Sequence, residues 1–145
     1  MLSVTNAGKA CIAHPATMIL VRPPFNSIDH VQLAMPQGQE EAARLFYSAL
    51  LGMREIAKPP ELAKRGGCWF ESGTVQVHLG VEKDFRPAKK AHPAFICCDY
   101  DGLTSKLRSA GVEVNGVDDI PGVRRSHVHD PFGNRIEFID SVANR

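Results

Sequence analysis

Four titratable residues recur at matched intervals in this chain. His30 and His92 are 62 residues apart, and His78 and Glu137 are 59 apart. Their neighbours alternate as in β-strands, where successive side chains point to opposite faces. Val75, Val77 and Leu79 form one face and leave Gln76 and His78 on the other. Ile136 and Phe138 oppose Glu137, Val31 and Leu33 oppose His30 and Gln32, and Phe95 opposes His92. Helices need the apolar face to cover, so the four polar residues are expected to line an uncovered, concave face. Three imidazoles and one carboxylate directed into one cup suit a borderline divalent cation such as Zn, Ni, Co, Mn or Fe. Of the other histidines, His127 and His129 share a face of the penultimate strand and read as surface residues. His14 stands in unpatterned sequence and is assigned no role.

The elements that must position these residues come in two copies. Residues 1–26 hold three prolines and no sustained periodicity, and they read as an extension. A strand is expected over Ile28–Ala34 and a helix over Gln39–Leu51, with Ala42, Leu45, Phe46, Ala49 and Leu50 on its inner face. Glu40 and Glu41 favour its first turn and Gly52 stops it. Strands are expected at Arg54–Ala57, Cys68–Glu71 and Thr74–Leu79, the last two joined through Ser72-Gly73. A charged linker, Val81–Lys90, separates the copies; its Arg86, Lys89 and Lys90, like Arg65 and Arg124 elsewhere, read as solvated charges. The second copy starts with a strand over Ala91–Cys97. A helix capped by Asp99 or Asp101 follows, with Leu103, Leu107 and Ala110 inward and Gly111 at its end. Strands at Val112–Val114, Val123–His129 and Arg135–Ile139 complete it, the last turn being Asp130-Pro131-Phe132-Gly133-Asn134. The fold class is therefore α+β, one domain over 27–145 built of two strand-helix-strand-strand-strand repeats at about 28–80 and 91–140.

Composition narrows the function further. The 145 residues carry 17 basic and 16 acidic side chains, a balance unsuited to gripping nucleic-acid phosphates. No apolar run approaches the roughly 20 residues of a membrane span, and the first 17 residues hold no continuous apolar stretch. Cys11, Cys68, Cys97 and Cys98 make no CxxC pair and read as reduced thiols, which places the chain in the cytoplasm.

The residues resemble the vicinal oxygen chelate superfamily, which includes glyoxalase I, fosfomycin-resistance thiol transferases, extradiol dioxygenases and bleomycin-binding proteins. The matching segments are Ile28-Asp29-His30-Val31-Gln32-Leu33-Ala34, Ala43-Arg44-Leu45-Phe46-Tyr47, Val77-His78-Leu79-Gly80, Ala91-His92-Pro93-Ala94 and Asp130-Pro131-Phe132-Gly133-Asn134-Arg135-Ile136-Glu137. The resemblance implies paired βαβββ modules whose sheets curl around a metal, and a homodimer in which each site is assembled from two subunits. It implies that His30, His92 and Glu137 are metal ligands and that His78 stands where glyoxalase I has a glutamate. Glu137 matches the glutamate that serves glyoxalase I as ligand and base.

The shared chemistry is bidentate chelation of a small oxygenated substrate, or its enolate-like intermediate, on a divalent cation that stabilises the developing oxyanion. Four protein ligands on an octahedral metal leave two positions, which fits a chelate and disfavours an extradiol dioxygenase, which wants three. A lyase or isomerase with Glu137 as base fits best. The rival of a different class is a metal-free protein that sequesters a small molecule or antibiotic, as bleomycin-binding relatives do. No recognisable glutathione-binding set is present.

Overall fold

The computed structural model describes residues 23–141, so Cys11, His14 and most of the extension expected over 1–26 lie outside the described residues. The first module runs β1 (Val31–Met35), α1 (Glu40–Ala43) continuing directly into a π-helical stretch (Arg44–Leu50), β2 (Arg54–Ile56), α2 (Pro60–Ala63), β3 (Trp69–Ser72) and β4 (Val75–Val81). The second runs β5 (Ala94–Cys97), α3 (Tyr100–Ser109), β6 (Asn115–Val117), β7 (Arg125–His129) and β8 (Arg135–Asp140). Each module folds as a four-stranded mixed sheet in the same order, β1-β4-β3-β2 and β5-β8-β7-β6, with first and last strands parallel and the rest antiparallel. The repeat read from the sequence is thus a repeat of topology. No helix among the described residues is long and apolar enough to cross a membrane.

Several boundaries move for physical reasons. β1 and β5 begin after His30 and His92, because pairing with the last strand starts at Val31↔Val77 and Ala94↔Glu137. The strand expected over Val112–Val114 lies at β6 instead. Val112 N–H is still spent on the Leu107 carbonyl closing α3, and Val114 packs against the core. Similarly, Val123 N–H closes a turn onto Ile120, so β7 starts at Arg125. The short helix α2 was not expected; Pro60 opens it at a position where a missing N–H costs nothing.

The inner helix faces also differ from the simple period. Bonds from Leu51 N–H to Phe46 and from Met53 N–H to Tyr47 widen the end of the first helix. The buried set becomes Ala43, Phe46 and Tyr47, while Leu45 is 59% exposed and Ala49 is exposed. In α3 the buried residues are Tyr100, Thr104 and Leu107, and Ala110, beyond the last turn, is exposed. Asp99 is the cap, accepting from Gly102 N–H at 3.0 Å.

One core spans both modules, with Met35, Tyr47, Phe70 and Leu79 from the first packed together with Leu107, Val128 and Ile136 from the second. The Asp130-to-Asn134 turn fastens the two. Asp130 accepts from the Phe132 and Asn134 amides at 2.9 and 2.8 Å, and from the buried Tyr47 hydroxyl at 2.9 Å. Asn134 Nδ2 donates to the Ala34 carbonyl of β1 at 2.8 Å. Gly133 takes φ 88°, where a side chain is strained and would also press on Pro87. Burial, then the neighbouring Asp130 charge, holds the Tyr47 hydroxyl well above its ordinary range, so it stays a donor. Asp130→Ala leaves Tyr47 and both turn amides without acceptors and is expected to cost about 3–5 kcal/mol. A urea unfolding free energy lowered by less than about 1 kcal/mol would show that the turn does not fasten the modules.

Candidate metal centre

Backbone pairing sets the site on the second sheet. Glu137 on β8 faces His127 directly across on β7, and Ala94, two residues after His92, across on β5. The Glu137 amide donates to the Pro93 carbonyl at 2.9 Å, which pins the segment carrying His92 beside it. Within this frame His92, His127 and Glu137 each offer one ligand atom, all within 4.8 Å of one another. His92 Nε2 lies 3.0 Å, and His127 Nε2 3.5 Å, from Glu137 Oε2. Neighbouring donors on a metal bound at about 2.0–2.2 Å sit roughly 3.0–3.5 Å apart, so both imidazole distances to Glu137 fit a first-row divalent ion.

Tautomers add a second test. His92 Nδ1 lies 2.7 Å from the Lys90 carbonyl, which only accepts, so Nδ1 carries a proton and, in the neutral ring, Nε2 carries the lone pair. That lone pair faces a carboxylate oxygen at 3.0 Å. Two lone pairs at this distance need a cation between them, either a proton or a metal. His127 Nε2 is buried and has no hydrogen-bond partner. Burial lowers the His127 pKa, against the pull of Glu137, and so favours a neutral ring with a free lone pair. For Glu137 burial pushes upward, but hydrogen bonds from Arg125 and His92 outweigh it and hold the carboxyl below its ordinary range. Arg125 donates from Nη1 to Glu137 Oε1 at 2.7 Å, so one carboxylate oxygen is held and the other is directed at the imidazoles.

The first sheet carries the other two residues expected as ligands. His78 on β4 is 5% exposed and lies between two rings, Trp69 at 3.9 Å and His30 at 4.1 Å. His78 Nε2 is 3.3 Å from Gln76 Oε1, and burial, then the nearby His30, lowers its pKa. His30 Nδ1 sits 2.8 Å from Asp29 Oδ2, the carboxylate–imidazole arrangement that leaves Nε2 as the exposed lone pair. The four expected residues therefore appear as two pairs, His30 with His78 and His92 with Glu137, and within one chain the pairs do not share the three-residue cluster. Neither His30 nor His92 is on the helix-covered face; both line a groove of about 750 Å³ between the modules.

His127, read from the sequence as a surface residue, is a member of the cluster, because the β7–β8 register sets it opposite Glu137. His129 is exposed, as read. Arg125 was not singled out, although it shares His127's parity in Arg125-Ser126-His127 and so must share its face. Arg124 points the other way: it pairs with Asp101 and Asp140 and stacks over Tyr100 at 4.6 Å, a structural role.

Comparisons with known proteins agree with this architecture. The profile of the Glyoxalase/Bleomycin resistance protein/Dioxygenase superfamily matches residues 27–138. A glyoxalase family protein from Bacillus anthracis is 52% identical, with a TM-score of 0.79 over 82% of this chain and 98% of that one. Lactoylglutathione lyase from Agrobacterium tumefaciens shares the fold at 19% identity and TM-score 0.63, covering 82% of this chain and 96% of the other. An antibiotic binding protein from a Streptomyces species shares it at 20% identity and TM-score 0.63, over 82% and 98%. A search of curated proteins returned no match. With its two βαβββ modules, the family match over residues 27–138 and the 52% identity to the Bacillus protein, the chain belongs to the glyoxalase/bleomycin resistance protein/dioxygenase superfamily.

Proposed function

We propose that this protein is a divalent-metal-dependent enzyme of lyase or isomerase type, acting on a small substrate through two neighbouring oxygens. The observation that carries it is the cluster itself: His92, His127 and Glu137 each offer one ligand atom, all within 4.8 Å of one another, with His92 Nδ1 committed to the Lys90 carbonyl so that Nε2 faces Glu137. His92, His127 and Glu137 would hold the ion, and His30 of a second copy would complete the set. His127 then takes the place expected of His78, whose Nε2 is engaged by Gln76 and whose ring is stacked on both faces. His78 instead orients His30.

A second copy is supported by the face on which the donors lie. Ile96 pairs with Ile139 and shares the Glu137 face, yet it is 64% exposed. An apolar side chain beside a polar cluster is what a subunit interface covers. The bound ion would supply Lewis-acid stabilisation of a developing oxyanion. The protein's own residues do the rest. Glu137, kept ionised by Arg125 and His92, is the carboxylate of the cluster and would be the base that accepts a proton from a substrate carbon.

Protein purified without a histidine tag is expected to contain close to one Zn, Ni, Co, Mn or Fe per chain by elemental analysis. Chelation should lower its melting temperature, because the ion binds the folded state only. A chain that stays metal-free after incubation with each ion, and binds ligands regardless of chelator, would overturn the assignment.

A further inference from the structure

We propose that Arg125 is the specificity residue of this site and receives a carboxylate of the substrate; this rests on the metal-centre reading above. Its guanidinium lies beside the donor cluster on the concave face, 14% exposed, with Nη1 on Glu137 Oε1 at 2.7 Å. On the solvent side, Nη2 donates at 2.5 Å to the carboxylate of Asp119, which is 63% exposed. Asp119 is a residue of this chain, and its exposed carboxylate is the group that an incoming acid would have to displace from Nη2.

Only one carboxylate separates the guanidinium from the imidazole lone pairs. A small acid held at the cluster through one carboxylate oxygen and the neighbouring 2-oxygen would have its second carboxylate oxygen free for Nη2, where it would displace Asp119. Arginine suits this task because its planar fork is permanently charged and matches a carboxylate. The substrate class is then a small carboxylic acid with a vicinal oxygen, such as a 2-oxo or 2-hydroxy acid. A neutral diol or dione does not fit.

The test uses two chelators on zinc-loaded full-length protein, followed by calorimetry. Oxalate chelates and leaves carboxylate oxygens free, whereas acetohydroxamate chelates through two oxygens and has no carboxylate. Arg125→Gln is expected to weaken oxalate about 10- to 100-fold while changing acetohydroxamate less than about 3-fold. Arg125→Lys should fall between, and Asp119→Asn, at an exposed site with little bearing on folding, should tighten oxalate several-fold. Zinc affinity of each variant is measured alongside. Equal weakening of both chelators, unchanged oxalate binding in both Arg125 variants, or loss of zinc in Arg125→Gln would overturn the proposal; the last would make Arg125 a positioning residue for Glu137. If the wild-type chain takes up no zinc, the metal reading fails separately. Oxalate binding to the metal-free chain, lost in Arg125→Gln, would then still support Arg125 as the acid-binding residue, and no oxalate binding would overturn it.

Discussion

Glu137→Ala is expected to abolish metal retention, lowering affinity about 1000-fold or more, beyond the roughly 10–100-fold that an outer hydrogen-bonding partner costs. Glu137 carries the one negative charge in the cluster, and it also neutralises Arg125. Its removal leaves a guanidinium facing a divalent cation in a partly buried cup, with only neutral imidazoles to bind it. His92→Ala and His127→Ala should each weaken binding strongly, since each removes a free lone pair. His78→Ala should cost less than about 10-fold, because it disturbs only the stack that orients His30. Metal titrations of all variants in one buffer decide the order. If His78→Ala releases the metal while His127→Ala keeps it, the fourth donor is His78. If Glu137→Ala keeps it, Glu137 is a free base or a structural partner of Arg125.

Mixing two defective chains is expected to restore a site that neither makes alone. His30→Ala and Glu137→Ala homodimers should both be depleted of metal. In the mixed dimer, His30 of the Glu137→Ala chain meets His92, His127 and Glu137 of the His30→Ala chain, giving one intact site per two chains. A site built within one chain predicts none, because each chain would carry its own defect. Co-expressed chains with separable tags, purified as heterodimers and analysed for metal, distinguish one ion per dimer from zero. A monomer by light scattering at micromolar concentration would remove the second copy altogether, and His30 with it.

Much of the fold was legible because it depends on short-range patterns. Gly52 and Gly111 stop the two helices at matched points with φ of 72° and 80°, and both modules repeat one strand order. The helix faces were less legible. In the π-helical stretch Phe46 and Tyr47 are the buried residues, and a fixed 3.6-residue period places Leu45 inward where it is 59% exposed. Strand ends were displaced by a few residues because pairing partners, rather than local composition, decide where a ladder begins.

For the site, the sequence by itself determined the repeat and the strand parity that sets Glu137 opposite the apolar Ile136 and Phe138, since parity is a local property. Only the tertiary structure decided which donors meet. The β7–β8 register sets His127 opposite Glu137 and brings Arg125 onto the same carboxylate, contacts that depend on pairing across a turn. The Lys90 carbonyl fixes the His92 tautomer, and Trp69 stacks on His78, because loop path and cross-strand neighbours position these groups. Side-chain alternation has a period of two and is written in the chain, whereas register and tautomer belong to partners that meet only after folding.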